Sequence, residues 1–222
     1  MIKFVAVQGT DGWVEPGDRR GWWHSVSRFA VLMASFGCDL LWTDDPFVWS
    51  TEVNGWQFWR RWSWFKPDPT KDHRSWRAGA KALRWKADQH DHEHGVGPLD
   101  AVCHSHGGNV WAYAAGVEGV RFRHVVLMGT PLRGDMIEVY KHAIANSESV
   151  LFVTDPRDDT MQFLGRVGDG AIGEIDLPPG IHVLPVDDMG HSGALYDPDA
   201  FMGTLMSIAV FLKTGQLPAV VA

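Results

Sequence analysis

Short apolar runs alternate along the chain with longer segments in which apolar residues recur every three or four positions. The runs, each bounded by turn residues, are Phe4 to Val7, Asp39 to Trp42, Leu99 to Cys103, His124 to Met128, Ser149 to Val153 and Ile181 to Val186. Buried strands that alternate with helices are typical of a parallel sheet covered by helices on both faces. The pattern therefore predicts an α/β fold with a mostly parallel central sheet of about six strands.

The segments between these runs predict helices. The first runs from Ser25 to Phe36 and should stop at Gly37, because helices commonly end at glycine. Asp72 is placed to cap the second helix, whose apolar positions continue from Trp76. Further helices are predicted over 106–117, 135–145 and 198–212.

Length and composition favour one domain over 1–222: of the 222 residues, 45% are hydrophobic and 21% are charged. The sequence has no run of about 18 apolar residues, and Met1 to Gln8 reads as a strand rather than a signal peptide. Cys38 and Cys103 are too few for a disulfide framework. The net charge of -7 argues against a general affinity for nucleic acid, since phosphate binding needs a basic surface. Because the sequence shows neither a membrane-spanning run nor a signal peptide, we expect a cytoplasmic protein.

The stretch from Leu99 to Gly108, LDAVCHSHGG, runs from an apolar strand through Ser105 into a predicted helix. A serine at the tip of such a turn is strained and presents its hydroxyl, and the positions two before and two after it must be small. Here they are Cys103 and Gly107. The following helix directs its positive end at the serine oxygen, and the backbone N–H of His106 becomes available to an oxyanion. Ser105 is therefore the candidate nucleophile.

This turn resembles the nucleophile elbow of the α/β-hydrolase family, particularly its lipases and esterases, which usually read Gly-x-Ser-x-Gly. Cys103 replaces the first glycine. In that family an acid and then a histidine follow the serine along the chain. His191, in the loop 187–193 after the last predicted strand, resembles the catalytic histidine, whereas His142 and His182 lie inside a helix and at a strand start. The resemblance covers nearly the whole chain in order and implies that His191 is the base.

The acid of this implied triad belongs to the loop 154–161, TDPRDDTM, which carries three carboxylates. The family pattern places the acid a few residues beyond the strand end and about three before an apolar residue. Asp158 fits this pattern best, and Asp155 and then Asp159 are the alternatives. Carboxylates that do not serve as the acid are expected to cap the turn or to be solvated.

The resemblance also implies an oxyanion hole made by the backbone N–H groups of Thr10 and His106, with Gly9 letting the chain approach the substrate. The loop 8–13 lacks the full dinucleotide-binding fingerprint. After the fourth predicted strand, the segment 129–131 is similar to the Gly-Thr-Pro turn of many lipases.

Three imidazoles alternate with carboxylates in a run at the end of the second predicted helix: His90, His92 and His94. Such a run can ligate zinc or nickel. However, it precedes the strand that leads to Ser105, whereas ligands of parallel α/β sheets bind at the carboxyl ends of strands. We therefore expect it on the face opposite the triad and assign no metal to it.

Aromatic residues crowd between Trp42 and Phe65, and no single helix or strand period buries them all. We expect 43–71 to be a cap or lid in which Trp59 and Trp62 form the acyl-binding wall. The alternative is that these tryptophans belong to the core. Basic residues set among them favour peripheral contact with an anionic lipid interface or an acidic substrate: Arg60, Arg61 and Lys66.

The sequence thus predicts a serine hydrolase that cleaves small-molecule carboxylic esters through an acyl-enzyme, without a cofactor. The same machinery serves thioesterases, amidases and acyltransferases. A non-catalytic module that binds lipid or peptide on a hydrolase fold is the alternative from another class. The oligomeric state is left open.

Overall fold

The fold is built on one six-stranded sheet. The computed structural model describes residues 1–9, 21–43, 47, 69–95, 97–157 and 179–218. In the helix that begins at residue 69, side chains are described from residue 76 onward. The strands are β1 Ile2–Val7, β2 Cys38–Leu40, β3 Leu99–His104, β4 Phe122–Met128, β5 Ser147–Thr154 and β6 Ile181–Pro185. Their spatial order is β2-β1-β3-β4-β5-β6, and each neighbouring pair is parallel. The six predicted strands are confirmed, and their sheet is wholly parallel rather than mostly so.

Helices connect the strands, as βαβ crossovers require. Within the described residues they are α1 Arg28–Ser35, α2 Pro69–His94, α3 Gly107–Gly116, α4 Ile137–Ala145, α5 Gly193–Tyr196 and α6 Met202–Thr214. A short 3₁₀ helix, Gly134–Met136, precedes α4. None of the helices in these ranges is both long and apolar enough to cross a membrane.

Residues suited to the beginning of a helix mark where the first two helices start, and the apolar periodicity alone does not give these positions. Ser27 caps α1, because its side chain accepts a hydrogen bond from the N–H of Ala30 at 3.1 Å. The prediction that Asp72 caps the second helix is wrong, since α2 already begins at Pro69. Proline suits a first helical position because its missing N–H would have no partner there. Pro69 to Lys71, the end of the predicted cap segment, is therefore helical.

The sheet is buried on both faces, which gives a three-layer α/β architecture. One core lies against α2, α3 and α4 and takes alternate strand residues such as Val5, Ala101 and Cys103. The other lies against α1, α5 and α6 and takes the intervening residues, such as Ala6 and Val102. This alternation is the two-residue period of a strand. It explains why the strands read as continuous apolar runs.

The strand order reverses at β1. From β1 the chain passes to β2 on one side, and from β2 it crosses over β1 to β3 on the other. At such a switch point the loops after the two neighbouring strands diverge, which opens a crevice at the carboxyl ends of the strands. The loop after β1 begins with Gln8-Gly9, and the turn after β3 contains Ser105. The predicted nucleophile therefore lies at the position where parallel α/β sheets bind ligands.

Candidate active site

The turn from β3 into α3 holds Ser105 in a backbone conformation that is unusual for a residue with a side chain. Its φ is +52°, in the left-handed region. Among the described residues other than glycine, Trp42 and Asp188 also have a positive φ. β3 ends at His104 and α3 begins at Gly107, so the direction of the chain changes within two residues. A strained serine between a strand and a helix is the arrangement that the sequence predicts, and strain of this kind is concentrated at functional sites.

Close backbone contacts enclose this turn. A Cβ atom added to Gly107 would collide with the carbonyl oxygens of Val7 and Gln8, so only glycine fits there. A Cβ atom added to Gly9 would lie 2.7 Å from the Cβ of Ser105 and 3.3 Å from its Oγ. Ser105 as a whole residue is 7% exposed, so the turn is closely packed by its neighbours.

The half-buried His191 lies beside the same strand ends. A Cβ atom added to Gly129, which follows β4 with φ +53°, would lie 2.7 Å from the carbonyl oxygen of His191 and 3.2 Å from its Nδ1. The N–H of Ser105 donates to the carbonyl oxygen of Met128 at 2.9 Å. Ser105 and His191 therefore both contact the Met128–Gly129 segment, which brings the predicted nucleophile and base to the carboxyl ends of β3 and β4. His142 lies in α4 and His182 is the second residue of β6, as predicted.

A carboxylate at the end of β5 holds the His191 loop. Asp155 is buried, and its Oδ2 accepts a hydrogen bond from the N–H of Gly190 at 2.8 Å. Its Oδ1 accepts another from the N–H of Arg157, also at 2.8 Å. This second bond caps the turn that follows β5. Asp158, the preferred acid, and Asp159 lie outside the described residues.

The proposed oxyanion donors are placed only in part. Thr10 lies outside the described residues, which end at its neighbour Gly9 on this side. His106 follows Ser105 directly and occupies the N-cap position of α3. The ten residues of α3 direct the positive end of their peptide dipoles at this turn. The His106 ring packs on Trp76 of α2, with ring centroids 5.2 Å apart.

The tryptophans assigned to the acyl-binding wall, Trp59 and Trp62, also lie outside the described residues. Two members of the aromatic segment are described. Phe47 is buried in the core beside α2, and Trp42 packs against the same core. Phe47 thus belongs to the core, as the alternative prediction expects of the aromatic residues, and Trp42 lies partly buried at its margin.

The histidine run occupies the last turn of α2. The rings of His90 and His94 lie 4.7 Å apart, and the Nε2 of His94 lies 3.8 Å from a carboxylate oxygen of Glu93. A groove of about 360 Å³ is bounded by His90, His94, Lys3 and Trp42. Because α2 leads down to the start of β3, this run is remote from the Ser105 turn, as expected. Over the described ranges, no three histidine, cysteine, aspartate or glutamate side chains are grouped closely enough to hold a metal.

The sequence patterns did not single out His104, which the structure places beside His191. It is the last residue of β3, is 7% exposed, and its Nε2 lies 3.0 Å from the carbonyl oxygen of His191. The alternation along β3 indicates where its side chain lies. Cys103 faces the layer of α2, α3 and α4, so the next residue, His104, must face the opposite layer. Cys103 itself is fully buried, and burial raises the pKa of its thiol well above the ordinary value, which makes it unsuitable as a nucleophile.

Comparison of the sequence with protein-family models and with curated proteins finds no match. The α/β class rests on the parallel sheet and the helices that cover it.

Proposed function

We propose that this chain is a serine hydrolase of the α/β-hydrolase kind, with Ser105 as nucleophile, and that it cleaves carboxylic esters. The observation that carries the proposal is the left-handed backbone of Ser105 at the β1/β3 switch point, with Gly9 pressed against its side chain. A buried structural serine needs no positive φ, and maintaining one costs on the order of 1–3 kcal/mol. The approach of the His191 loop to the same strand ends supports the assignment of a base.

In the proposed reaction the Oγ of Ser105 attacks the acyl carbon while His191 takes the hydroxyl proton. The carbonyl oxygen becomes an oxyanion that accepts hydrogen bonds from the N–H groups of Thr10 and His106, and the dipole of α3 favours its charge. The bond to the leaving oxygen then breaks, and His191 gives the proton to the departing alcohol. Water attacks the acyl-enzyme by the same route and releases the acid. Asp158 holds the imidazole in the tautomer that accepts the proton.

Trp59 and Trp62, within a cap between Phe47 and the start of α2, complete the proposal as the wall that binds the acyl chain. The basic residues of that segment would rest on an anionic lipid interface: Arg60, Arg61 and Lys66. Residues of the chain itself supply every group in this scheme, and it assigns no step to a cofactor.

The deciding experiment measures hydrolysis of p-nitrophenyl esters of increasing chain length, together with a thioester and an amide. We expect turnover on esters, and a fall of at least about a thousandfold in Ser105→Ala. Ser207→Ala is the matched control, because its hydroxyl lies in an exposed position on α6 and donates to the carbonyl oxygen of Gly203 in the same helix. Retention of about a tenth of the wild-type turnover in Ser105→Ala would assign the nucleophile elsewhere.

The same panel separates the alternatives. Faster cleavage of the thioester or the amide would assign the triad to a thioesterase or an amidase, and ester product formed only with an added alcohol acceptor would indicate an acyltransferase. Turnover of none of these would favour the non-catalytic binding module.

A further inference from the structure

His104 lies between the nucleophile strand and the predicted base. It precedes Ser105 directly and is almost completely buried. Its ring centroid lies 4.9 Å from that of His191 and 6.3 Å from that of Trp22. The side chain therefore fills the space between β3 and the loop that carries His191.

The hydrogen bonds of His104 determine its tautomer. Its Nε2 lies 3.0 Å from the carbonyl oxygen of His191 and 3.0 Å from the Oγ of Ser192. A carbonyl oxygen only accepts hydrogen bonds, so Nε2 must carry the proton and donate it. The serine oxygen can share that proton as a second acceptor. One imidazole N–H thus holds two consecutive residues of the loop.

We propose that His104 is a positioning residue, which fixes the His191 loop against the nucleophile strand and so sets the placement of the base relative to Ser105. The inference rests on the proposed function, because it assumes that His191 is the base. Asp155 restrains the same loop from β5 through Gly190. The loop is therefore hydrogen-bonded at two consecutive residues: Gly190 is held by Asp155, and His191, the predicted base, is held by His104.

The imidazole suits this task because it remains uncharged. The pKa of His104 is lowered to about 3, mainly by burial and also by the nearby His191 and His106 rings, while the bond to the His191 carbonyl opposes this shift. At neutral pH the ring is therefore a fixed N–H donor without a charge that would repel a protonated His191. A positive His104 would oppose the imidazolium that forms during attack.

A purely structural role is the competing interpretation, and His124 provides the matched control. It is also buried, and its Nδ1 is hydrogen-bonded to the Oγ of Ser149 at 2.8 Å. It belongs to the first half of β4, toward the amino ends of the strands, whereas Ser105 lies at the carboxyl ends. Replacing either histidine by phenylalanine removes the hydrogen-bonding nitrogens of one buried imidazole and retains a ring.

The experiment compares His104→Phe, His104→Gln and His124→Phe in the full chain. Amide hydrogen exchange of the peptide covering 187–193 reports how firmly the loop is held. We expect faster exchange there in His104→Phe only, with kcat on esters lowered about 100-fold and KM changed less than about threefold, because a small misplacement of the base affects the chemical step. His104→Gln should restore most of kcat, since its Nε2 is the same number of bonds from Cα as the imidazole Nε2.

The outcomes separate the two levels of the claim. Unchanged exchange of 187–193 in His104→Phe would overturn the proposal whatever the activity is. Faster exchange with unaltered kcat, or an equal loss of kcat in His124→Phe, would overturn the positioning role. If the wild-type protein neither hydrolyses esters nor reacts with a fluorophosphonate, the hydrolase proposal fails, and the exchange comparison still decides whether His104 holds the loop.

Discussion

A Cβ atom added to Gly9 would lie 2.7 Å from the Cβ of Ser105, closer than side-chain carbons approach in proteins. The loop after β1 and the turn after β3 therefore meet without room for even a methyl group. In the proposed reaction this contact brings the backbone that precedes Thr10 next to the serine oxygen, which is where an oxyanion donor must lie.

Gly9→Ala should consequently impair catalysis by displacing the loop or the serine. We expect kcat/KM on esters to fall at least about tenfold and stability to fall by about 1–3 kcal/mol, the usual range for overpacking. Gly203→Ala is the control, because a Cβ atom added there meets nothing within 4 Å. It should retain full activity and gain up to about 1 kcal/mol in helix stability. Kinetics and urea unfolding of both variants test this, and an undiminished kcat/KM in Gly9→Ala would refute the oxyanion loop.

The three candidate acids should separate by the property that each asparagine variant changes. Asp155→Asn removes an acceptor of backbone N–H groups in a buried position, so we expect a loss of about 1–3 kcal/mol in unfolding free energy and a looser His191 loop. Asp158→Asn should leave stability almost unchanged and lower kcat by about 10⁴, because an amide supports the wrong imidazole tautomer.

Asp159→Asn serves as the control for that pair and should stay near wild type in both measurements. If Asp155→Asn lost most of its kcat without losing stability, and Asp158→Asn kept a near-normal kcat, the acid role would pass to Asp155.

Acid should destabilise the fold partly through His104. Its pKa is about 3 in the folded protein against about 6.5 in an unfolded chain, so between these values the unfolded state binds more protons. The stability from burying the neutral ring is fully present above about pH 6.5 and is lost as pH falls toward 3. In His104→Gln the slope of unfolding free energy against pH should be shallower over this window, by at most about 1.4 kcal/mol per pH unit. Urea denaturation of both proteins from pH 4 to 7 checks this, and parallel curves would contradict it.

Trp59→Ala and Trp62→Ala should affect long acyl chains more than short ones if these tryptophans form the acyl-binding wall. We expect kcat/KM on octanoyl and longer esters to fall about tenfold or more, acetate hydrolysis to change little, and the melting temperature to be nearly constant. Trp76→Ala provides the contrast, because Trp76 is buried in the described core and its loss should cost about 3–5 kcal/mol. Equal losses on all chain lengths with a large drop in melting temperature would assign Trp59 and Trp62 to the core.

The strand positions and the Ser105 turn could be predicted because each depends on local sequence: apolar runs between turn residues, and a serine between small residues at a strand end. The start of α2 was missed since apolar spacing at Trp76 says nothing about the preceding turn, where Pro69 begins the helix. The contacts of His104 with His191 and of Asp155 with Gly190 join residues 87 and 35 positions apart. Such pairs depend on strand order and register, which the periodicity of single segments does not encode.

The most direct test of the account is covalent labelling of the nucleophile. The purified protein is treated with a fluorophosphonate, and the adduct is located by peptide mass spectrometry. We predict one adduct on Ser105, absent in Ser105→Ala and formed at least about 100-fold more slowly in His191→Ala, because a serine hydroxyl without an adjacent base attacks poorly. No adduct, an adduct on another residue, or an undiminished labelling rate in His191→Ala would contradict the Ser105–His191 mechanism.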